Sequence, residues 1–536
     1  MDSSAPDVSQ SNPYFKTFNR WKKVYEQLVS VLDSFSLECT QLSLASQHPE
    51  AREWIGLEES LAYVDAAFAS LDAGSPLMSN VHATLGTVRN QSKSLVSFNR
   101  LPDEVVAYIL LLVNADDPVN PRYESYPTEQ PISPLFSIMT TSRHLRDTII
   151  NTPSLWTYIN LVVEDPEAMY LPHGQRCLLY SQQLPLQVHI TGHYLDEDEG
   201  QIIENLTRLL GSHAHRIASL DFWVPMTCAW PVLLSLFSDT PSCQIRVLYL
   251  NDPDAYPEDL GDDFPDRLFE GDLDTFLRSL QVLGMRGFFI PLTTPAYRDL
   301  TILEIMPYSF KLSQPRLEEL RNALVACPRL RSLALIECTF ETGSGVPVEP
   351  VLLLDLEILD LRLTNDDDEL VALMACIDSG TNELAFSVSL DPDMSEDTMA
   401  RLRNFIKQSN ITRLCIDATI DRPDLDWLLA LPQGETLTIR ELALCSYDVT
   451  EASFKPPLST SRFPSLHTLH LMGWKNLDIR ICRQILDTST IQVLRFDEPR
   501  AIVQEMIKVA PFVEPCWFST GVSKDSSLEW PVYVFP

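Results

Sequence analysis

The chain has 536 residues, 45% of them hydrophobic, and sets 40 Lys+Arg against 74 Asp+Glu for a net charge of −34. One compact core stops growing at roughly 250–300 residues, so this length excludes a single globule and calls for several domains or an elongated repeat array. So acidic a surface repels phosphate backbones and anionic lipid, which argues against nucleic-acid and membrane-surface partners. The eleven cysteines stand singly, with no Cys-x-x-Cys pair. In a chain of this size that pattern suits reduced, buried thiols and a cytoplasmic or nuclear setting. The start, MDSSAPDVSQSNP, lacks the basic-then-apolar layout of a secretion signal, and no run approaches the roughly 18–20 apolar residues of a membrane span.

Residues 1–15 read as disordered and 16–97 as helical. Trp21, Val24, Leu28, Val31 and Phe35 recur at alternating steps of three and four, as do Trp54, Leu57, Leu61, Val64, Phe68 and Leu71 beyond a break near Pro49. A weaker set runs through Val81, Leu85, Val88 and Leu95. Each places one apolar stripe on a helix, and two heptads apiece favour a small hairpin or bundle over a long coiled-coil rod. Residues 98–161 form a different unit: an apolar helix opening at Pro102, a proline-rich loop over 114–134, a second helical stretch, and the run PSLWTYINL.

From Ile217 onward one pattern repeats: an apolar residue, two variable ones, Leu, one variable and another apolar residue. The copies are Ile217/Leu220/Phe222, Ile245/Leu248/Leu250, Leu277/Leu280/Val282, Leu300/Leu303/Ile305, Leu330/Leu333/Leu335 and Leu356/Leu359/Leu361. They continue as Ile411/Leu414/Ile416, Ile439/Leu442/Leu444, Leu466/Leu469/Leu471 and Ile491/Leu494/Phe496, with a defective copy, Leu384/Phe386, that has Thr381 in the first apolar place. Between them, LEELRNALVACP (317–328), DELVALMACI (368–377), MARLRNFIKQ (399–408) and IRICRQILDT (479–488) have helical spacing. Eleven copies in one phase predict a strand and a helix per repeat, with leucines stacked into a continuous core over 162–536 and a cap at the C-terminal end. LWTYINL and LPLQVHI are candidates to extend the array at its beginning.

This stretch resembles the leucine-rich-repeat proteins, which implies an α/β solenoid, a horseshoe of parallel strands and helices. In that family an Asn or Cys five residues beyond the central Leu closes each turn through neighbouring backbone. Cys338 fits the position, whereas Pro225, Pro253, Thr364, Tyr447 and Pro499 depart from it.

Residues 98–161 resemble an F-box. Its Leu-Pro-x-Glu-apolar opening matches Leu101, Pro102, Asp103, Glu104 and Val105, followed by Ile109 and Leu110. The later Trp-Arg and Pro-x-Leu-Trp elements match Leu145-Arg146 and Pro153 to Trp156, with Leu145 in place of Trp and Thr141-Ser142 where Val-Cys is common. The form ending in TPSLW before leucine-rich repeats resembles the F-box-like set of mushroom-forming fungi. The resemblance implies a substrate receptor of a cullin-based (SCF-type) ubiquitin ligase, with a protein target on the repeats. It places Leu101, Pro102, Val105, Ile109, Leu110, Ile138, Leu145 and Trp156 at the adaptor, and through it a cullin. The alternative is a protein-binding scaffold in which these helices only cap the first repeat.

Strand residues that alternate with the leucines point away from the core. They nominate Trp223, Tyr249, Asn251, Arg362, Arg413, His470, Arg495 and Asp497 as target contacts, aromatics and Arg being frequent interface anchors. No catalytic, metal or cofactor site is expected. ETGSGVP (341–347) lacks the Lys-Ser/Thr ending of a phosphate loop, and neither Gly-x-Ser-x-Gly nor His-Glu-x-x-His occurs. His189 and His193 read as surface histidines, and His213 and His215 flank a turn without a ligand-spaced carboxylate or Cys.

Overall fold

A computed structural model describes residues 13–46, 101–115, 134–163, 171–192, 199–237, 245–252, 274–287, 290–306, 315–341, 349–362, 367–380, 382–390, 394–418, 438–445, 465–472 and 493–496. The chain divides into two compact units, Met1–Val96 and Ser97–Pro536. In the first, helix α1 (Pro13–Ser46) runs unbroken and opens on a proline, whose missing N–H costs nothing at a helix start. Trp21, Val24, Leu28 and Val31 of the predicted stripe lie exposed along it, and Trp21 stacks on Tyr25. The stripes at 54–71 and 81–95, the 114–134 loop save its two ends, the 479–488 segment and the C-terminal cap lie outside the described residues.

The second unit is built on one parallel sheet of thirteen strands in strict chain order. Its order is β1 (Tyr158–Val162), β2 (Leu186–Thr191), β3 (Ile217–Trp223), β4 (Val247–Asn251), β5 (Val282–Arg286), β6 (Ile302–Met306), β7 (Ser332–Leu335), β9 (Ile358–Leu361), β11 (Leu384–Leu390), β12 (Ile411–Ala418), β13 (Glu441–Cys445), β14 (Thr468–Met472) and β15 (Val493–Phe496). A short parallel pair, β8 (Val351–Leu352) and β10 (Ile377–Asp378), lies apart from it. The first two strands are the candidate extensions LWTYINL and LPLQVHI.

Register explains the stacking. Ile159, Val188, Leu220, Leu248, Leu283, Leu303, Leu333, Leu359, Phe386, Leu414, Leu442, Leu469 and Leu494 are paired from strand to strand. The twelve from Ile159 to Leu469 are buried in one core with residues of the intervening helices, among them Leu206, Leu320, Leu324, Leu370, Leu373 and Leu402. Each fully buried Leu contributes about 2 kcal/mol relative to an exposed one, so a row of this kind holds the sheet together. Three of the four predicted helical segments fall in Leu317–Val325, Asp367–Cys376 and Glu396–Gln408.

Two repeats are phased differently from the sequence reading. Leu283, not Leu280, pairs with Leu248 and Leu303, so that copy is Leu280/Leu283/Met285. Both phases satisfy the motif, and the choice falls to the strand, which begins at Val282 after a short helix over Asp274–Leu277. The copy read as defective is intact. A register shift between Leu384 and Ala385 sets Leu384 opposite Ile411 and Phe386 opposite Leu414, so Thr381 has no place in it.

Cys338 behaves as its position implies: its Sγ donates to the Ile305 carbonyl on the neighbouring strand at 3.3 Å. Where the usual residue is missing, other side chains close the turns. The Asp252 carboxylate accepts from the Met226 N–H at 3.0 Å, and Asp367 accepts from the Ser395 N–H at 2.7 Å. Among the described residues no helix is long and apolar enough to cross a membrane.

The stacked row and the surface should respond differently to truncation. Leu333→Ala is expected to cost about 2–5 kcal/mol by urea unfolding, whereas Leu352→Ala, at a half-exposed position, should stay within about 0.5 kcal/mol.

Candidate docking site

The segment that resembles an F-box folds as three helices and a turn: α2 (Asp103–Ala115), α3 (Pro134–Thr141), α4 (Arg143–Ile150) and a 3-10 turn over Pro153–Trp156. Pro102 opens α2, its carbonyl accepting from the N–H groups of Val105 and Val106, and Asp103 and Glu104 in the first turn complement the helix dipole. Ser142, at a place where the family commonly has Cys, caps α4 by accepting from the Leu145 N–H at 3.1 Å. Arg146 ties the α3–α4 corner by donating to the Met139 carbonyl at 3.1 Å.

Helix α2 carries two apolar stripes. Val106 and Leu110 are buried in the core with Ile149, Leu155 and Trp156. Val105 is 41% exposed, Tyr108 63% and Leu112 46%, with Val113 beside them and Pro102 also exposed. Steps of three and four put Val105, Tyr108 and Leu112 on one face. Of the eight nominated adaptor contacts, Pro102 and Val105 are open. Leu101, Ile109, Ile138 and Leu145 are partly covered, and all of these but Ile109 pack against the core.

Leu110 and Trp156 are corrections. At 3% and 1% exposure neither can touch another protein. Trp156 donates from Nε1 to the Ile149 carbonyl at 2.8 Å and packs against the rings of Phe136 and Tyr180. Tyr108, exposed on the same face, is not among the nominated contacts, though its place three residues after Val105 and four before Leu112 is a readable signal.

The nominated target contacts do share the sheet face opposite the leucines. Asn160, His189, Asp221, Tyr249, Gly284, Glu304, Ala334, Asp360, Ser387, Cys415, Ala443, His470 and Arg495 form its middle row. Yet Trp223, Tyr249, Arg362 and His470 are buried, Asn251 and Arg413 half-buried, so among the described residues the expected row of projecting anchors is not there. Asp497 and the Arg495 side chain lie outside the described residues.

Contacts within the face, two between strands and one within a strand, account for part of the covering. Trp223 lies under the Arg286 guanidinium, 5.7 Å from ring to carbon. Arg362 donates from Nε and Nη2 to Asp360 at 3.0 and 2.8 Å. Burial opposes its charge, but the charge and hydrogen bonds of Asp360, with Cys415 and Asp417 adding, outweigh that and hold Arg362 above its usual range. The Tyr249 ring spreads over Gly284, where an added Cβ would sit 2.3 Å from it. A glycine inside a strand marks such a close approach, and the sequence offered that signal.

His189 is not a surface histidine. It is buried, its Nδ1 lies 3.0 Å from Asp221 Oδ2, and Asn251 donates to the other Asp221 oxygen at 3.4 Å. His193 is outside the described residues. Cys177, Cys228, Cys327, Cys338, Cys376, Cys415 and Cys445 are free and buried, and burial pushes the thiols of Cys177 and Cys228 up to about 12. Among the described residues no group of His, Cys, Asp and Glu is arranged to hold a metal ion.

Compared with the models of known protein families and with curated proteins, the chain matches none.

The Tyr249–Gly284 contact predicts a coupled pair. Gly284→Ala should cost about 1–3 kcal/mol through overpacking, and most of that cost should vanish in a Tyr249→Ala background. A double-mutant cycle by urea unfolding reads the coupling.

Proposed function

We propose that this protein is a substrate receptor of a cullin-based ubiquitin ligase: an F-box-like docking helix joined to a leucine-rich-repeat array that holds a protein target. The observation that carries the reading is the open apolar stripe Val105–Tyr108–Leu112 on α2, beside exposed Pro102, in a segment that matches the F-box pattern. Apolar side chains left in water along one helix face point to a protein partner. The apolar-x-apolar phase repeated over thirteen in-line strands, with Leu at the first position in ten of them, supports the repeat reading.

The mechanism is positional. The adaptor buries the α2 stripe, a few apolar anchors supply most of the affinity, and the array holds a target so that its lysines reach the ubiquitin carried by the scaffold. The chain's own side chains perform no bond chemistry in this scheme. Target contacts would come from half-buried Asn251, Arg286 and Arg413 at the margins of the sheet face and from half-buried Glu304 in its middle row, the buried members of that row serving as their support.

The capping reading has one observation in its favour. Val106, Leu110 and Trp156 close the core beside β1, the first strand of the sheet. A helix with two stripes can do both, one stripe sealing the array and the other receiving the adaptor.

Capture by recombinant adaptor separates the roles. A Val105→Asp, Leu112→Asp double variant, changed only at exposed positions, should keep the wild-type Tm and lose adaptor affinity by about 100-fold or more, the scale of hot-spot loss. Trp156→Ala should lose about 3–5 kcal/mol of stability. A wild-type chain that captures no adaptor, or a double variant that captures it equally, leaves only the scaffold reading.

A further inference from the structure

A cavity of about 580 Å³ opens between helix α5 (Leu171–Tyr180), helix α6 (Glu199–Leu210) and the 3-10 segment Gly211–Arg216 that follows. Its basic residues are Arg208, Arg216 and His213, and its lining includes no Asp or Glu. In a chain of net charge −34 that is an unusual concentration of positive charge. Arg216 is only 6% exposed, yet the groups it bonds to are neutral. Nε and Nη2 donate to the Leu184 carbonyl at 3.1 and 2.9 Å, Nη2 donates to Ser181 Oγ at 2.8 Å, and Nη1 lies 3.5 Å from His213 Nδ1. Arg208 contacts the amide oxygen of Asn205. Among the described residues no carboxylate pairs with either arginine.

A buried guanidinium without a counter-ion is costly, and burial alone lowers the proton affinity of Arg216. Burial, followed by the charges of Arg216 and His215, likewise pushes His213 below its ordinary value. Both effects are relieved by an anion entering from outside. Two guanidiniums and an imidazole suit a phosphate, which accepts several charge-assisted hydrogen bonds at once. The remaining polar lining is amide: Gln175, Gln182, Gln183 and Asn205 offer donors and acceptors suited to hydroxyl groups. The volume falls in the range of small-molecule sites, about 300–1,000 Å³, well beyond what a bare phosphate fills.

We propose that this cavity binds a phosphate monoester carried on a small hydroxyl-bearing molecule, a sugar or polyol phosphate, with Arg208 and Arg216 on the phosphate and the amides on the hydroxyls. The site belongs to the helical side of the array and does not depend on adaptor docking.

Calorimetric titration of the full chain with glycerol 3-phosphate, glucose 6-phosphate and myo-inositol 1-phosphate tests it, with inorganic phosphate, glucose and a serine-phosphorylated peptide as the comparison arms. At least one of the three organic phosphates is expected to bind at least tenfold more tightly than inorganic phosphate, with no heat from glucose. Arg216→Met removes structural hydrogen bonds and can unfold the region. Arg208→Gln, at an exposed position, is therefore the deciding variant, and it should weaken binding at least tenfold with Tm unchanged. Silence from all three organic phosphates overturns the proposal. So does affinity no better than that of inorganic phosphate, affinity unchanged in Arg208→Gln, or binding of the phosphopeptide alone.

Discussion

The molecule depends on in-register parallel pairing of strands whose side chains alternate with a period of two. A slip of one residue turns every leucine of a strand from the core to the opposite face. Neighbours must therefore share one phase, and twelve consecutive members of the leucine row meet that condition in a single core. Because each strand touches mainly its neighbours, the cost of an error stays local, and the array tolerates irregular connections and missing turn residues. Leu384 illustrates the tolerance: the register shifts beside it so that Phe386 still enters the row.

The same pairing fixes the other face. It lines up the residues between the leucines as strictly as the leucines themselves, bringing His189 to Asp221 and laying Tyr249 over Gly284. Such a face is held by its own contacts. Its middle row serves as a floor, so that target contacts, under the proposed function, would fall mainly to its margins. At the front of the array the first strands need a cover, and Trp156 with Val106 and Leu110 provides it. A helix committed to the core through one stripe is rigidly presented through the other, the condition under which exposed Val105, Tyr108 and Leu112 would serve the proposed docking as a preformed surface.

The repeat was legible because its signal is redundant: each strand repeats the phase of the last, and three helical segments fell where spacing put them. The docking helix was legible in outline from Pro102, Asp103 and Glu104, which specify a helix start by local chemistry. Less was visible where the decision belongs to tertiary packing. Leu280 and Leu283 satisfy the motif equally, and only pairing with Leu248 and Leu303 chooses between them. The F-box resemblance assigned Leu110 and Trp156 to the partner, but burial assigns them to the core. Alternation identified the side of the sheet on which Arg362 and His470 sit, not that neighbours close over them. The cationic cavity was invisible because Arg208 and Arg216 come together only when α6 and its 3-10 extension pack against α5.

The most direct measurement of the docking surface is hydrogen–deuterium exchange of the full chain with and without saturating adaptor subunit. Slowed exchange confined to α2 (Asp103–Ala115) and the adjoining α3–α4 corner is the outcome expected of a preformed docking face. Exchange unchanged in that helix, or protection found only along the sheet strands, would contradict it.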